Sequence, residues 1–187
     1  MSEDATTQPV VLLDRAHLEQ VLRHLADDIL AQPWAQDLAE FPLLVGIREG
    51  GVVVAQELAR IIGLSTGMTP RLGALDITFY RDDTWLKGPR MTQGHTDLPE
   101  DLTGVRILLV DDVLFTGRTV RAALNALVDF GRPKAVLLAV LLDRGGRELP
   151  IAADAVGHRL EVAADLKLEV QSDEHGHLKA VVQVASV

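Results

Sequence analysis

Apolar residues recur along this chain with two different periods, and the alternation between them lays out the elements. Leu18, Val21, Leu22, Leu25 and Ile29 follow the i, i+3, i+4, i+7 spacing of one helical face. That spacing predicts a helix with Asp14 as its N-cap and Pro33 just beyond its end. Leu43 to Ile47 is a short unbroken apolar run, the pattern of a buried strand, followed by Arg48-Glu49-Gly50-Gly51 and a helix from about Val52 to Ile62. Ala74 to Phe79 predicts another strand. Val105 to Val110 and the run AVLLAVLL from Ala135 to Leu142 predict two more. Between these last two lies a helix from about Arg118 to Phe130, stopped by Gly131-Arg132-Pro133. Leu166 to Val184 alternates around Asp173-Glu174-His175-Gly176, which predicts a hairpin.

Short, fully apolar strands alternating with helices indicate an α/β fold: a central, mostly parallel sheet flanked by helices. In such sheets ligands sit beyond the carboxyl ends of the strands, and three loops leave such ends here, after Ile47, Val110 and Leu142. Two stretches lack periodicity. Arg81 to Asp101 is polar and long for an idle loop, as lids and binding arms are; Asp143 to Gly157 is also irregular. Residues 1–9 read as a loose tail, and the whole of 1–187 as one domain without internal repeats.

Composition narrows the classes. The chain has 187 residues, 48% hydrophobic and 24% charged, enough to bury a proper core. It has no cysteine, which excludes disulfides, thiolate metal sites and cysteine nucleophiles. No apolar run is long enough to span a bilayer and the start carries no signal-peptide pattern, so the expected location is the cytoplasm, away from membranes. The net charge of −9 argues against broad attraction to a polyanion. A phosphorylated ligand must then be held by focused devices such as backbone N–H groups, a divalent cation or a few placed arginines.

The segment LLVDDVLFTGRT, Leu108 to Thr119, supplies such devices. Asp111 and Asp112 are expected to end a strand. Adjacent acids repel and gain nothing in a core, but they can accept hydrogen bonds from vicinal sugar hydroxyls. Thr116-Gly117-Arg118-Thr119 then runs into a helix, whose first N–H groups, with the threonine hydroxyls, make a phosphate cradle. Alone, either half is an ordinary strand end or helix start. In this order they describe a ribose 5-phosphate grip. Receiver domains also gather acids at strand ends, but without a glycine-containing phosphate loop three residues on.

This segment resembles the phosphoribosyl pyrophosphate signature of the type I phosphoribosyltransferases. Together with DITFYRDD (Asp76 to Asp83), VDDVLFTGRTVRAAL (Val110 to Leu124) and LLDRGGRELPIAAD (Leu141 to Asp154), the chain is similar to a bifunctional group within them, the pyrimidine operon attenuators with uracil phosphoribosyltransferase activity. The similarity runs from about Val11 to Gly157. It implies a type I phosphoribosyltransferase fold with a mobile arm at 81–101, and a small hood and C-terminal hairpin at 143–187.

By that resemblance, Asp111 and Asp112 hold the ribose hydroxyls, and Val113, Leu114, Phe115, Thr116, Gly117, Arg118 and Thr119 bind the 5-phosphate. Arg48, Glu49, Gly50 and Gly51 contact pyrophosphate, Arg81 leads into the arm, and Arg144 and the backbone near Val156 help define the base pocket. Magnesium arrives on the substrate, with no side-chain metal ligand assigned. The implied reaction joins uracil to phosphoribosyl pyrophosphate, giving UMP and pyrophosphate; Asp112 is the candidate for stabilising the sugar cation. The family forms dimers or higher homo-oligomers.

The sequence departs from the family in the pyrophosphate loop, where Glu49 stands for a threonine and Gly50 for a basic residue. The hood lacks a histidine before its second arginine, and His158 to Val162 replaces a Lys-, Thr- and Ser-containing stretch. The group's other partner is an operon leader RNA hairpin, for which Arg15, Arg23, Arg147 and Arg159 are the candidate contacts. Acids share the first helix with Arg15 and Arg23, and there is no aromatic platform. Two alternatives stand beside this reading: transfer to another nucleobase, or an RNA-binding regulator whose site senses nucleotide with weak turnover. His175 and His177 are expected to be exposed turn residues, Trp34 a packing residue and Trp85 part of the arm.

Overall fold

The computed structural model describes residues 10–48, 50–80, 95–163, 165–175 and 177–185. The expected tail, Glu49, Arg81 and Trp85 lie outside them. A five-stranded parallel sheet forms the centre, in the order β3-β2-β4-β5-β6. Its strands are β2 (Leu43–Ile47), β3 (Leu72–Leu75), β4 (Arg106–Leu114), β5 (Ala135–Asp143) and β6 (Ala155–Arg159). A second, antiparallel sheet joins β1 (Val10–Leu13) to the hairpin of β7 (Leu166–Ser172) and β8 (Leu178–Ala185), in the order β1-β8-β7. The hairpin is as expected; the contribution of β1 was not read from the sequence.

Alternation along the central strands divides the core in two. Leu44, Leu108, Val110, Ala139 and Leu141 face α1 (Arg15–Ala31), α2 (Gly50–Thr66) and the hairpin. Leu43, Val45, Ile47, Ile107, Leu109, Leu138 and Val140 face α3 (Arg118–Leu127). Burial on both faces is why these strands read as continuous apolar runs. Helix α1 buries Leu18, Leu22, Leu25 and Ile29, and the Asp14 carboxylate accepts the His17 N–H at its start, as expected of an N-cap. Trp34 packs against this core. No described helix is long and apolar enough to cross a membrane.

Several boundaries differ from expectation. Helix α2 begins at Gly50 and runs to Thr66, because Ser65 and Thr66 donate to the carbonyls of Ile61 and Ile62 and extend its last turn. Strand β3 lies at Leu72–Leu75 rather than Ala74 to Phe79. The Asp76 carboxylate accepts the Thr78 N–H and turns the chain into a short 3-10 segment. Helix α3 stops at Leu127 and tightens to a 3-10 turn over Val128–Phe130. The stretch from Asp143 to Gly157 is not wholly irregular, since β6 begins at Ala155 and pairs in parallel with β5.

The correction that bears most on function concerns β4. Asp111 and Asp112 do not end it; the strand continues to Leu114, because its ladder with β5 runs on to the pair Leu114↔Asp143. Its ladder with β2 stops at Val110. The two acids therefore sit where β4 projects beyond β2 while still anchored to β5.

Candidate functional site

Three loops meet at the carboxyl end of the sheet, as the topology requires. Asp111 is 5% exposed, and its carboxylate accepts the Asp112 N–H at 3.0 Å. Asp112 is partly buried and accepts the Val113 N–H at 2.8 Å. Burial pushes the Asp112 carboxyl above the usual carboxylate range, although the bond from Val113 works against that rise. A carboxylate held out of water beside a neighbouring acid gains by accepting hydroxyl donors, the role that vicinal sugar hydroxyls would fill.

Helix α2 brings the second loop to the same place. A Cβ on Gly50 would lie 2.5 Å from Asp112 Cγ, and one on Gly51 would overlap the carbonyl oxygen of Val110. These glycines let the start of α2 sit directly on β4. Arg48 donates from Nε to the carbonyl of His95 at 2.8 Å, and its N–H donates to the carbonyl of Leu75. The end of the expected arm is thus fastened at the site: Asp97 bridges Ala74 antiparallel, and Thr96 Oγ1 accepts the Asp76 N–H. His95, expected to be a flexible polar position, contributes its carbonyl to Arg48.

The third loop, after β4, is the one expected to cradle phosphate. Leu114 closes β4 and Gly117 caps α3 at φ 91°, a left-handed conformation that glycine accepts without strain. Thr116 Oγ1 accepts the Arg118 N–H at 3.3 Å, and Arg118 forms an exposed ion pair with Glu148 at 2.7 Å. Helix α3 points its N-terminus, with its partial positive charge, to the end of the sheet that carries Asp111 and Asp112.

Arg144 stands differently from a base-pocket residue open to ligand. It is 6% exposed, donates to the carbonyls of Leu166 and Ala163 at 2.8 and 2.9 Å, and lies over the Phe115 ring at 4.1 Å. Val156 buries its side chain against the core from the edge strand β6, leaving its backbone as the part able to meet a base.

The four arginines considered for RNA separate. Arg15 pairs with Glu19 and with Asp173 of the hairpin turn. It lines a cleft between α1, α2 and β8 with Arg23, Arg60 and His177. Arg159 is exposed at the end of β6. Arg147 turns inward, bonded to the Asp143 carboxylate at 2.6 Å and to backbone carbonyls. His177 is more than a solvated turn residue, since its Nδ1 lies 3.0 Å from Glu57 Oε1 and ties the hairpin to α2. Among the described residues no three histidine or acidic side chains gather as a metal-holding group.

Comparison with known proteins places this geometry in context. The family model described as the phosphoribosyl transferase domain matches residues 11–172. A protein named bifunctional protein PyrR from Geobacter sulfurreducens is 45% identical over 163 residues, covering 87% of this chain and 90% of that protein. Its namesake from Bacillus mycoides is 42% identical over 170 residues, covering 89% and 92%. The crystal structure of the hypoxanthine phosphoribosyltransferase of Trypanosoma cruzi superposes with a TM-score of 0.69 at 18% identity, covering 94% of this chain and 95% of that one. A Leishmania tarentolae enzyme described as HGPRT-ase in complex with GMP gives 0.67 at 16% identity, covering 94% and 95%. At these identities the two structures speak to the fold alone.

Proposed function

The chain belongs to the phosphoribosyl transferase domain family, alongside the bifunctional PyrR proteins, and from that premise we propose that it makes UMP from uracil and phosphoribosyl pyrophosphate and regulates pyrimidine genes through RNA. One observation carries the enzymatic half. An acid pair of buried Asp111 and partly buried Asp112, the glycine start of α2 and the N-terminus of α3 converge at one sheet end, suiting ribose hydroxyls, pyrophosphate and 5-phosphate in turn.

In the reaction, a uracil ring nitrogen forms a bond to the anomeric carbon. The bond from that carbon to the pyrophosphate oxygen breaks, and its electron pair leaves with pyrophosphate, while the nitrogen's proton passes to solvent. Asp111 and Asp112 orient the ribose by accepting its hydroxyls. The ionised form of Asp112 also opposes the positive charge that develops on the sugar. The loop from Val113 to Thr119 fixes the 5-phosphate, so the anomeric carbon is held at a set distance from the base. Arg48, Gly50 and Gly51 would meet pyrophosphate; Glu49 and Arg81, assigned by the resemblance to the same loop and to the arm, lie outside the described residues. The backbone at Val156 borders the base, while the buried Arg144 braces the hood. Asp111 and Asp112 are hard oxygen donors that could sit beside substrate-borne magnesium, which would supply charge compensation for the leaving group.

A second reading, a nucleotide sensor with slow turnover, is favoured by Gly50, which leaves the pyrophosphate loop without a basic side chain at that position. For RNA, the exposed candidates are Arg15, Arg23 and Arg159, and recognition would rest on backbone charge and shape. The work belongs to the cytoplasm, in a homo-oligomer.

Conversion of labelled uracil to UMP, with phosphoribosyl pyrophosphate and magnesium, tests the enzymatic reading; product absent with every nucleobase overturns it. Formation of a purine nucleotide in place of UMP reassigns the base. UMP binding without turnover selects the sensor. Salt-dependent, UMP-enhanced binding of a pyrimidine-operon leader hairpin tests the regulatory half, which fails if no binding occurs even at low salt.

A further inference from the structure

The segment after β5 meets, residue by residue, the loop that should hold the 5-phosphate. The carbonyl of Leu114 accepts the Arg144 N–H at 3.1 Å, and that of Phe115 accepts Arg147 Nη1 at 2.8 Å. The carbonyl of Thr116 accepts the N–H groups of both Glu148 and Leu149 at 3.1 Å. A Cβ on Gly146 would overlap the Phe115 ring, and one on Gly117 would press on Ile151 at 3.3 Å. Three successive carbonyls of the loop are therefore turned onto one strip of chain.

In a planar trans peptide the carbonyl of one residue and the N–H of the next point in opposite directions. Fixing the carbonyls of Leu114, Phe115 and Thr116 on this strip thus aims the N–H groups of Phe115, Thr116 and Gly117 away from it. Arg147 organises the strip. Its Nε donates to the carbonyl of Ile151 at 3.0 Å, its Nη1 to Gly145 at 3.1 Å as well as Phe115, and its Nη2 meets Asp143 at 2.6 Å. One planar guanidinium thereby ties the end of β5, both sides of the glycine turn and the phosphate loop together, which the compact ammonium of a lysine could not do at once.

We infer that Arg147 is a positioning residue of the 5-phosphate site: it holds the peptide planes of residues 115–117 so that their N–H groups face the phosphate. The inference rests on the reading of 113–119 as the phosphate loop and adds to it the residue that sets the loop's orientation. It also removes Arg147 from the arginines available to RNA.

Calorimetric titration of UMP and of uridine into the wild type, Arg147→Met, Arg147→Lys and the exposed control Arg132→Met separates the possibilities. Arg147→Met is expected to weaken UMP by about tenfold or more, the scale of a lost charge-assisted hydrogen bond, while uridine changes little. Arg147→Lys should recover part of the difference, and Arg132→Met should match the wild type. If UMP and uridine weaken in the same proportion, or neither weakens, the inference is overturned. Backbone 15N shifts of the wild type on adding inorganic phosphate provide a test that needs no variant. Phe115, Thr116 and Gly117 amides should move, and their failure to move overturns the inference even if Arg147→Met does not fold. Should the wild type bind UMP no more tightly than uridine, it is the phosphate-loop reading that fails.

Discussion

Gly50 and Asp112 meet across the carboxyl ends of β2 and β4, so closely that the aspartate carboxylate fills the space a side chain at position 50 would take: a Cβ there would stand 2.5 Å from Asp112 Cγ. The pyrophosphate loop and the ribose acids are therefore not independent. A basic residue at position 50, the pattern of the resembling family, would require the loop or the acid to sit elsewhere. Glycine lets the start of α2 close on the acid pair.

Gly50→Ala should consequently destabilise the protein by about 1–3 kcal/mol, the usual cost of overpacking. Shortening the neighbour relieves it: in an Asp112→Ser background the same change should cost much less. A double-mutant cycle by urea unfolding should then give a coupling of about 1 kcal/mol or more. Additive effects would mean the two residues do not touch in solution.

Asp112 also sets a pH dependence. Burial raises its carboxyl above the usual range, so the folded state binds this proton more tightly than the unfolded state does. Ionised Asp112 is thus a destabilising element above its folded pKa, and the penalty fades as pH falls through that value. Asp112→Asn keeps an oxygen to accept the Val113 N–H but cannot ionise. It should melt higher than the wild type at neutral pH, with the gap closing in mild acid, while UMP formation falls by about tenfold or more. Asp143 has the opposite sign. Burial works to raise it, but the bonds from Arg147 and the Gly145 N–H outweigh that and hold it low, so the stability it contributes is lost in acid. Melting curves of wild type and Asp112→Asn against pH check the claim; a gap that does not change with pH would refute it.

How far the sequence foretold this site depends on whether a residue's neighbours lie close along the chain. The helical face of α1, the cap at Asp14 and the buried strands β2 and β5 are local patterns, and each stands where periodicity put it. Asp111, Asp112 and Gly117 could be read together as a candidate grip because acids, glycine and helix start follow one another. The extent of β4 was not, since its ladder with β5 rather than its own residues decides where it ends. Arg147 stood among the candidate RNA contacts because its partner in the phosphate loop, Phe115, is 32 positions away. The same holds for His177 and Glu57, separated by 120 positions. RGGREL was noticed as a motif, yet its contact with the phosphate loop exists only after β5 has paired with β4.

Arg144 is a strut by its contacts, joining the phosphate loop through the Phe115 ring to the start of the hairpin through the carbonyls of Ala163 and Leu166. Arg144→Lys keeps the charge but loses the planar fork that spans those carbonyls. It should cost about 2–3 kcal/mol in urea unfolding, the scale of a lost charge-assisted hydrogen bond with its acceptors left buried. A loss below 0.5 kcal/mol, the level of an ordinary surface change, would show that the guanidinium does not brace the hairpin.

Gly117→Ala addresses the phosphate loop directly, because two separable effects act at one atom. The backbone there has φ 91°, where an L side chain costs about 1–2 kcal/mol, and the new methyl would also sit 3.3 Å from both Cβ and Cδ1 of Ile151. Both effects push the peptide between Thr116 and Gly117 off its orientation, so UMP should weaken by about tenfold while uridine is little affected. Adding Ile151→Val removes Cδ1 but leaves φ unchanged. If crowding by Cδ1 dominates, the double variant regains UMP affinity; if backbone strain or the remaining Cβ contact dominates, it does not. Unchanged UMP affinity in Gly117→Ala itself, with the protein folded, would mean that the 5-phosphate is held somewhere other than at the N-terminus of α3.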